Sequence, residues 1–147
     1  MIARIRKSME QKDQGFTLIE LLVVMIIIGI LAAIAIPIFM NQREKAVDSA
    51  ATSDVSTLGK EVATYYVDAD AILPSTGVVM SGPNGRYTVN AIDVGKVSGG
   101  VTAVTFTPGG TTIPTAAAGW CVDITYEGGT RTHVFYSALN GLSKTTC

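Results

Sequence analysis

The chain has 147 residues, room for one domain plus a membrane segment but not for two domains. Hydrophobic residues make up 48% and charged residues only 16%, and the apolar excess gathers at one end, which argues against an ordinary soluble protein. With a formal net charge of −1 and no basic stripe, the electrostatics give no reason to expect nucleic-acid binding.

Residues 1–15 read as a basic leader in which Arg4, Arg6, Lys7 and Lys12 face only Glu10 and Asp13. Cytoplasmic flanks collect Lys and Arg, so the N-terminus should stay inside and everything after Met40 should be exported. Met9 is an alternative start, but Arg4, Arg6 and Lys7 carry most of the orienting charge, which favours Met1.

The most informative stretch is Gly15-Phe16-Thr17-Leu18-Ile19-Glu20. From Leu21 through Met40 no side chain is charged, so Glu20 stands as a single carboxylate at the head of an apolar run. Placing an ionised acid in hydrocarbon costs roughly 2.5–3.5 kcal/mol on insertion scales, which marks Glu20 as a functional residue. The run Phe16–Met40, as a helix rising about 1.5 Å per residue, reaches roughly 37 Å and can cross a hydrocarbon core of about 30 Å. Gly29 and Pro37 lie inside it. Both are tolerated better in membrane helices than in water, and Pro37 removes a backbone donor, so flexibility or a kink is expected there.

Past Met40 the pattern changes. Val47, Ala51, Val55, Leu58, Val62 and Tyr65 recur at helical spacing, while Arg43, Glu44, Lys45, Asp48, Asp54, Lys60 and Glu61 fall off that stripe. Residues 41–70 therefore read as the amphipathic continuation of one long helix. Gly59 interrupts it at about 1 kcal/mol relative to Ala, and Leu73-Pro74-Ser75-Thr76-Gly77 closes it.

Residues 71–147 read as a β-rich head. Arg86–Ile92, Val101–Thr107, Trp120–Glu127 and Arg131–Ser137 are rich in strand formers, with Gly128-Gly129 as a hairpin signal. Gly109–Gly119, a run of small uncharged residues, reads as a loop, either surface that packs against another subunit or a mobile segment, and its composition favours the mobile one. Tyr65, Tyr66 and Tyr87 fit helix–sheet packing. Cys121 and Cys147 both fall on the exported side, and an even count in an oxidising compartment reads as one disulfide, 121–147. Two cysteines and the lone His133 cannot close a tetrahedral metal shell, so no metal site is expected. His133 reads as a structural strand residue. Asp68 and Asp70 read as solvated carboxylates rather than a calcium site.

Together these residues resemble a type IV prepilin with its class III signal. Gly15 through Val24, followed by Gly29-Ile30-Leu31-Ala32-Ala33-Ile34-Ala35 and Pro37, carry the resemblance; beyond residue 70 it holds only in outline. The resemblance implies an α+β, pilin-like fold, a long N-terminal α-helix packed on a small antiparallel sheet. It implies cleavage between Gly15 and Phe16 by a prepilin peptidase and N-methylation of Phe16. Glu20 would then neutralise the Phe16 amine of a neighbouring subunit during assembly, and Gly29 to Pro37 would be the part of the helix that can loosen in a filament. The implied product is a homo-oligomeric helical filament, built from a single-pass membrane precursor with a membrane platform protein and a cytosolic assembly ATPase. Such fibres leave the cell as pili, and adhesion, twitching motility and DNA uptake all use them, with no residue here separating those roles.

A pseudopilin of a type II secretion system shares everything up to Pro37 and is the alternative. In that group the major subunit usually carries a calcium site and lacks a cysteine pair, so Cys121 and Cys147 favour the pilus subunit. A cleaved export signal releasing a soluble protein at Ile36, after Ala33-Ile34-Ala35, or an uncut anchor, remains a remote reading. No Gly-x-Ser-x-Gly, His-Glu-x-x-His or phosphate-loop pattern occurs, so neither an enzyme nor a cofactor is expected.

Overall fold

A computed structural model describes residues 15–147 of the chain. The charged leader and the choice between Met1 and Met9 lie outside the described residues. Among the described residues nine elements follow one another: α1 (Leu18–Tyr65), β1 (Val78–Met80), β2 (Arg86–Val89), β3 (Ile92–Lys96), β4 (Val101–Thr107), α2 (Ile113–Gly119), β5 (Cys121–Tyr126), β6 (His133–Ser137) and β7 (Gly141–Ser143). The chain falls into two compact units, one ending at Met40 and the other running from Asn41 to Cys147. The architecture is α+β and pilin-like.

In the first unit α1 is apolar on every side, and almost every residue is exposed, including Ile34 at 61% and Phe39 at 65%. A helix that is apolar all round must be covered by lipid or by other helices. Gly29 and Pro37 both lie within the continuous helix.

In the second unit α1 turns amphipathic, as the spacing requires. Ala51, Val55, Leu58 and Val62 are buried, and Val47 and Tyr65 pack against that core from either end. The helix stops at Tyr65, earlier than the expected limit near residue 70. The backbone then turns back, held where the Tyr65 hydroxyl donates to the Ala71 carbonyl at 3.0 Å and the Leu73 N–H donates to the Tyr66 hydroxyl at 3.3 Å.

Two antiparallel sheets make up the rest, in strand orders β1-β2-β3 and β4-β5-β6-β7. The four expected strands are present, but Arg86–Ile92 divides. Val89 pairs with Ile92 across a two-residue turn in which Asn90 (φ 49°) and Ala91 (φ 64°) are both left-handed. Such a turn matches the twist of a hairpin but usually recruits glycine, so Ala91 left no signal. The Gly128-Gly129 hairpin forms as expected, with Thr125 opposite His133.

Gly109–Gly119 is a correction. Its second half is α2 rather than a mobile loop. Thr112 starts the helix, its N–H donating to Thr115 Oγ1 at 3.2 Å, Pro114 supplies a favourable first turn, and Ala116 is fully buried.

Gly59 is a second correction, because it marks a close approach rather than a weak point. A Cβ there would overlap the ring of Tyr136, which itself stacks on Trp120 with centroids 6.0 Å apart and planes 6° apart. Gly59→Ala should therefore lower stability by about 1–3 kcal/mol through overpacking, even though alanine alone would favour the helix by about 1 kcal/mol. A urea midpoint at or above the wild type would show that Tyr136 moves aside freely.

The head is fastened to α1 by two aspartates that the apolar stripe leaves out. Asp54 accepts the Tyr87 hydroxyl at 3.0 Å, the Ser98 N–H at 2.9 Å and the Ser98 hydroxyl at 2.8 Å. Asp48 accepts the Tyr126 hydroxyl at 3.0 Å, the Thr130 N–H at 3.0 Å, the Thr130 hydroxyl and the Arg131 N–H at 3.4 Å. Burial pushes the Asp48 carboxyl up, but the bonds from Thr130, Tyr126 and Arg131 outweigh it and hold the group below its ordinary range. Burial, reinforced by Asp48, pushes the Tyr126 phenol up to about 12.

These shifts fix the sign of the pH response. The depressed Asp48 contributes stability above the ordinary carboxylate pKa and loses it as pH falls through the folded value. The raised Tyr126 contributes below its ordinary value of 10.0 and loses it as pH climbs to about 12. Urea midpoints measured against pH should show both limbs, and Tyr126→Phe should shallow the alkaline one. An unchanged alkaline limb would assign it to Tyr87, which burial and Asp54 also raise.

Candidate functional site

The N-terminal end of α1 holds the residues that the sequence singles out. Gly15, Phe16 and Thr17 precede the helix, and Phe16 is 90% exposed. Thr17 and Glu20 close a reciprocal cap. The Thr17 N–H and hydroxyl donate to Glu20 Oε2 at 2.8 and 2.7 Å, and the Glu20 N–H donates to Thr17 Oγ1 at 3.3 Å. A helix start leaves four backbone donors unpaired, and this Thr-x-x-Glu arrangement satisfies two of them. Both bonds to the Glu20 side chain use Oε2, and among the described residues Oε1 accepts none. The sequence reading found Glu20 and missed Thr17, although the capping pattern was there to be read.

The chemistry available here is electrostatic. Glu20 is a fixed carboxylate at a helix N-terminus, one turn from a segment that presents a free amine if the chain is cut after Gly15. Beyond it, Leu21 to Met40 is uncharged, and the helix Leu18–Tyr65 that contains this run is long and apolar enough to cross a membrane.

A family model, the prokaryotic N-terminal methylation motif, matches residues 11–36, which span Gly15, Phe16 and Glu20. The chain also resembles type II secretion system core protein G. It is 40% identical to the protein from Dickeya chrysanthemi over 60 residues, covering 41% of this chain and 39% of that one. It is 42% identical to the one from Escherichia coli (strain K12), covering 39% of each. The N-terminal part of the chain is thus similar to the type IV pilin-like proteins and their pseudopilin relatives. Against the Vibrio cholerae protein identity is 36%, over 45% of this chain and 44% of the other. The chain thus spans about two fifths of the length of the curated relatives it matches. No solved structure matches it.

Away from the helix end, the pilin-like head carries the expected disulfide. Cys121, at the start of β5, is bonded to Cys147 with Cα atoms 6.0 Å apart. His133 lies on β6, its Nδ1 3.1 and 3.2 Å from the Asp123 carboxylate oxygens and its ring stacked on Phe135. Asp68 and Asp70 are exposed, and among the described residues no group of three or more His, Cys, Asp or Glu converges.

Proposed function

We propose that this chain is a structural, non-enzymatic subunit of a type II secretion pseudopilus. The observation that carries this reading is its likeness to type II secretion system core protein G in several bacteria. Those matches favour the secretion subunit over the pilus subunit expected from the cysteine pair. The precursor sits in the membrane by its apolar helix, and a prepilin peptidase cuts after Gly15 and methylates the Phe16 amine. Phe16–Met40 of many copies then leave the bilayer together as the fibre core, with a platform protein and a cytosolic ATPase driving extraction. Glu20 takes the amine of a neighbouring copy. Two opposite charges brought into an apolar bundle each lose hydration, and pairing returns much of that loss.

One observation favours a second reading, a type IV pilus subunit that ends outside the cell. The Cys121–Cys147 bond closes the head, and the resemblance drawn from the sequence associates such a cysteine pair with the pilus subunits. The two readings share processing and separate in consequence.

The test is the intact mass and N-terminal sequence of the mature protein, paired with loss of the chain from its host. An N-methylated Phe16, with secreted proteins retained inside the cell when the chain is absent, is the expected result. An N-methylated Phe16 with normal secretion and missing surface fibres would move the chain to the pilus reading. A start at Ile36, or an uncut Met1, would overturn both.

A further inference from the structure

Within the unit Asn41–Cys147, a polar concavity of about 410 Å3 brings Lys45, Arg131 and Lys144 together. They come from three separate places: α1, the β5–β6 turn and the residue after β7. From Phe16 onward the chain has seven bases against ten acids, so three of its seven bases gathering here runs against the overall charge. Asp48 is the one acid in the lining, and its oxygens are taken by Tyr126, Thr130 and Arg131. Asp48 therefore fixes the turn that presents Arg131. Among the described residues neither Lys45, Arg131 nor Lys144 lies within 4.0 Å of a carboxylate, and all three are exposed.

Such a site suits a phosphate group, and the sequence indicates where one is found. Lys45 lies only five residues past Met40, so in a precursor anchored by the apolar run it belongs to the segment that emerges at the membrane surface, where lipid phosphates are the abundant anions. We propose that this concavity docks the phosphate headgroup of an anionic lipid on the exported leaflet and so seats the head on the membrane before assembly. The inference rests on the membrane-anchored precursor of the proposed function.

The full chain is reconstituted into phosphatidylcholine vesicles with and without phosphatidylglycerol and treated with a membrane-impermeant amine-acylating reagent. Acylation is read at each lysine by mass spectrometry, with the exposed Lys60 and Lys96 as internal references. Phosphatidylglycerol should lower acylation of Lys45 and Lys144 about fivefold relative to those references, the effect of one cation held at an anionic surface. High salt should abolish the difference, and Arg131→Gln should weaken it at both lysines.

Equal reactivity in both lipids, with the chain floating on the vesicles, overturns the lipid contact and leaves the anchor standing. A chain that does not float overturns the anchor and this inference with it. Protection in both lipids that grows with protein density would mean that a second copy covers the site, through an acidic surface such as that of Glu61 and Asp68. Equal protection by inorganic phosphate on phosphatidylcholine vesicles would mean a soluble-anion site. Either of these overturns the lipid assignment.

Discussion

A Glu20→Ala chain should enter the membrane normally and fail to assemble, with subunits in sheared or extracted filaments falling to background. Two losses combine in that change. The first is local, because Thr17 loses the acceptor for its N–H and hydroxyl, at about 0.5–2 kcal/mol of helix stability. The second follows from the proposed function and is between subunits, because there the Phe16 amine of a neighbour would be left charged and unpaired among apolar helices. Removing one partner of a buried pair costs about 3–5 kcal/mol, and a filament repeats that cost at every subunit. Insertion survives because the uncharged run from Leu21 to Met40 is untouched.

Glu20→Gln separates the two losses. Glutamine keeps an oxygen for the Thr17 donors and carries no charge, so it should restore the cap and still fail to assemble. Filaments at wild-type yield from the glutamine chain would show that Glu20 serves only its own helix. Membrane fractionation beside filament recovery reads both steps in one experiment.

The parts of this molecule that were legible in the sequence are those in which a single physical pattern repeats. An uninterrupted apolar run and a stripe at helical spacing announce α1, and Ala51, Val55, Leu58 and Val62 are buried as that spacing demands. The illegible parts are short or depend on distant partners. β1 and β7 are three residues each, too brief for alternation to appear, and β3 follows a turn built on Ala91. α2 hides in a run of small residues that composition alone reads as loop. Asp48 and Asp54 look like solvated helix charges until Tyr87, Ser98, Tyr126 and Thr130 arrive from 33 to 82 positions away. Gly59 likewise looks like a helix defect until Tyr136 lies against it. At the candidate site, Glu20 stood out because charge is rare there, whereas Thr17 is an ordinary residue whose role follows from its spacing to Glu20.

The other large expected effect lies in the head. Cys147→Ser should lower the stability of the second unit by about 3.5 kcal/mol, the loop-closure value for a bridge spanning 26 positions. The tail after β7 has no strand partner, and the bond to Cys121 ties its last residue to the edge of the core. Cys121 is 6% exposed and begins the strand that carries Val122, Ile124 and Tyr126 into the interior, so the bridge joins the tail to one of the best-packed strands. Cys147 is exposed, which makes it the cleaner residue to change, since a hydroxyl there meets water instead of core. The second unit has only 107 residues, and a domain of that size has a total stability near 5–15 kcal/mol. Losing about 3.5 kcal/mol would thus take a large share of it. The urea midpoint of oxidised chain, reduced chain and Cys147→Ser should fall together for the last two and well below the first. Identical midpoints for all three would mean that the β5–β6–β7 packing holds the tail without the bond, and the oxidising compartment would then have no bearing on the fold.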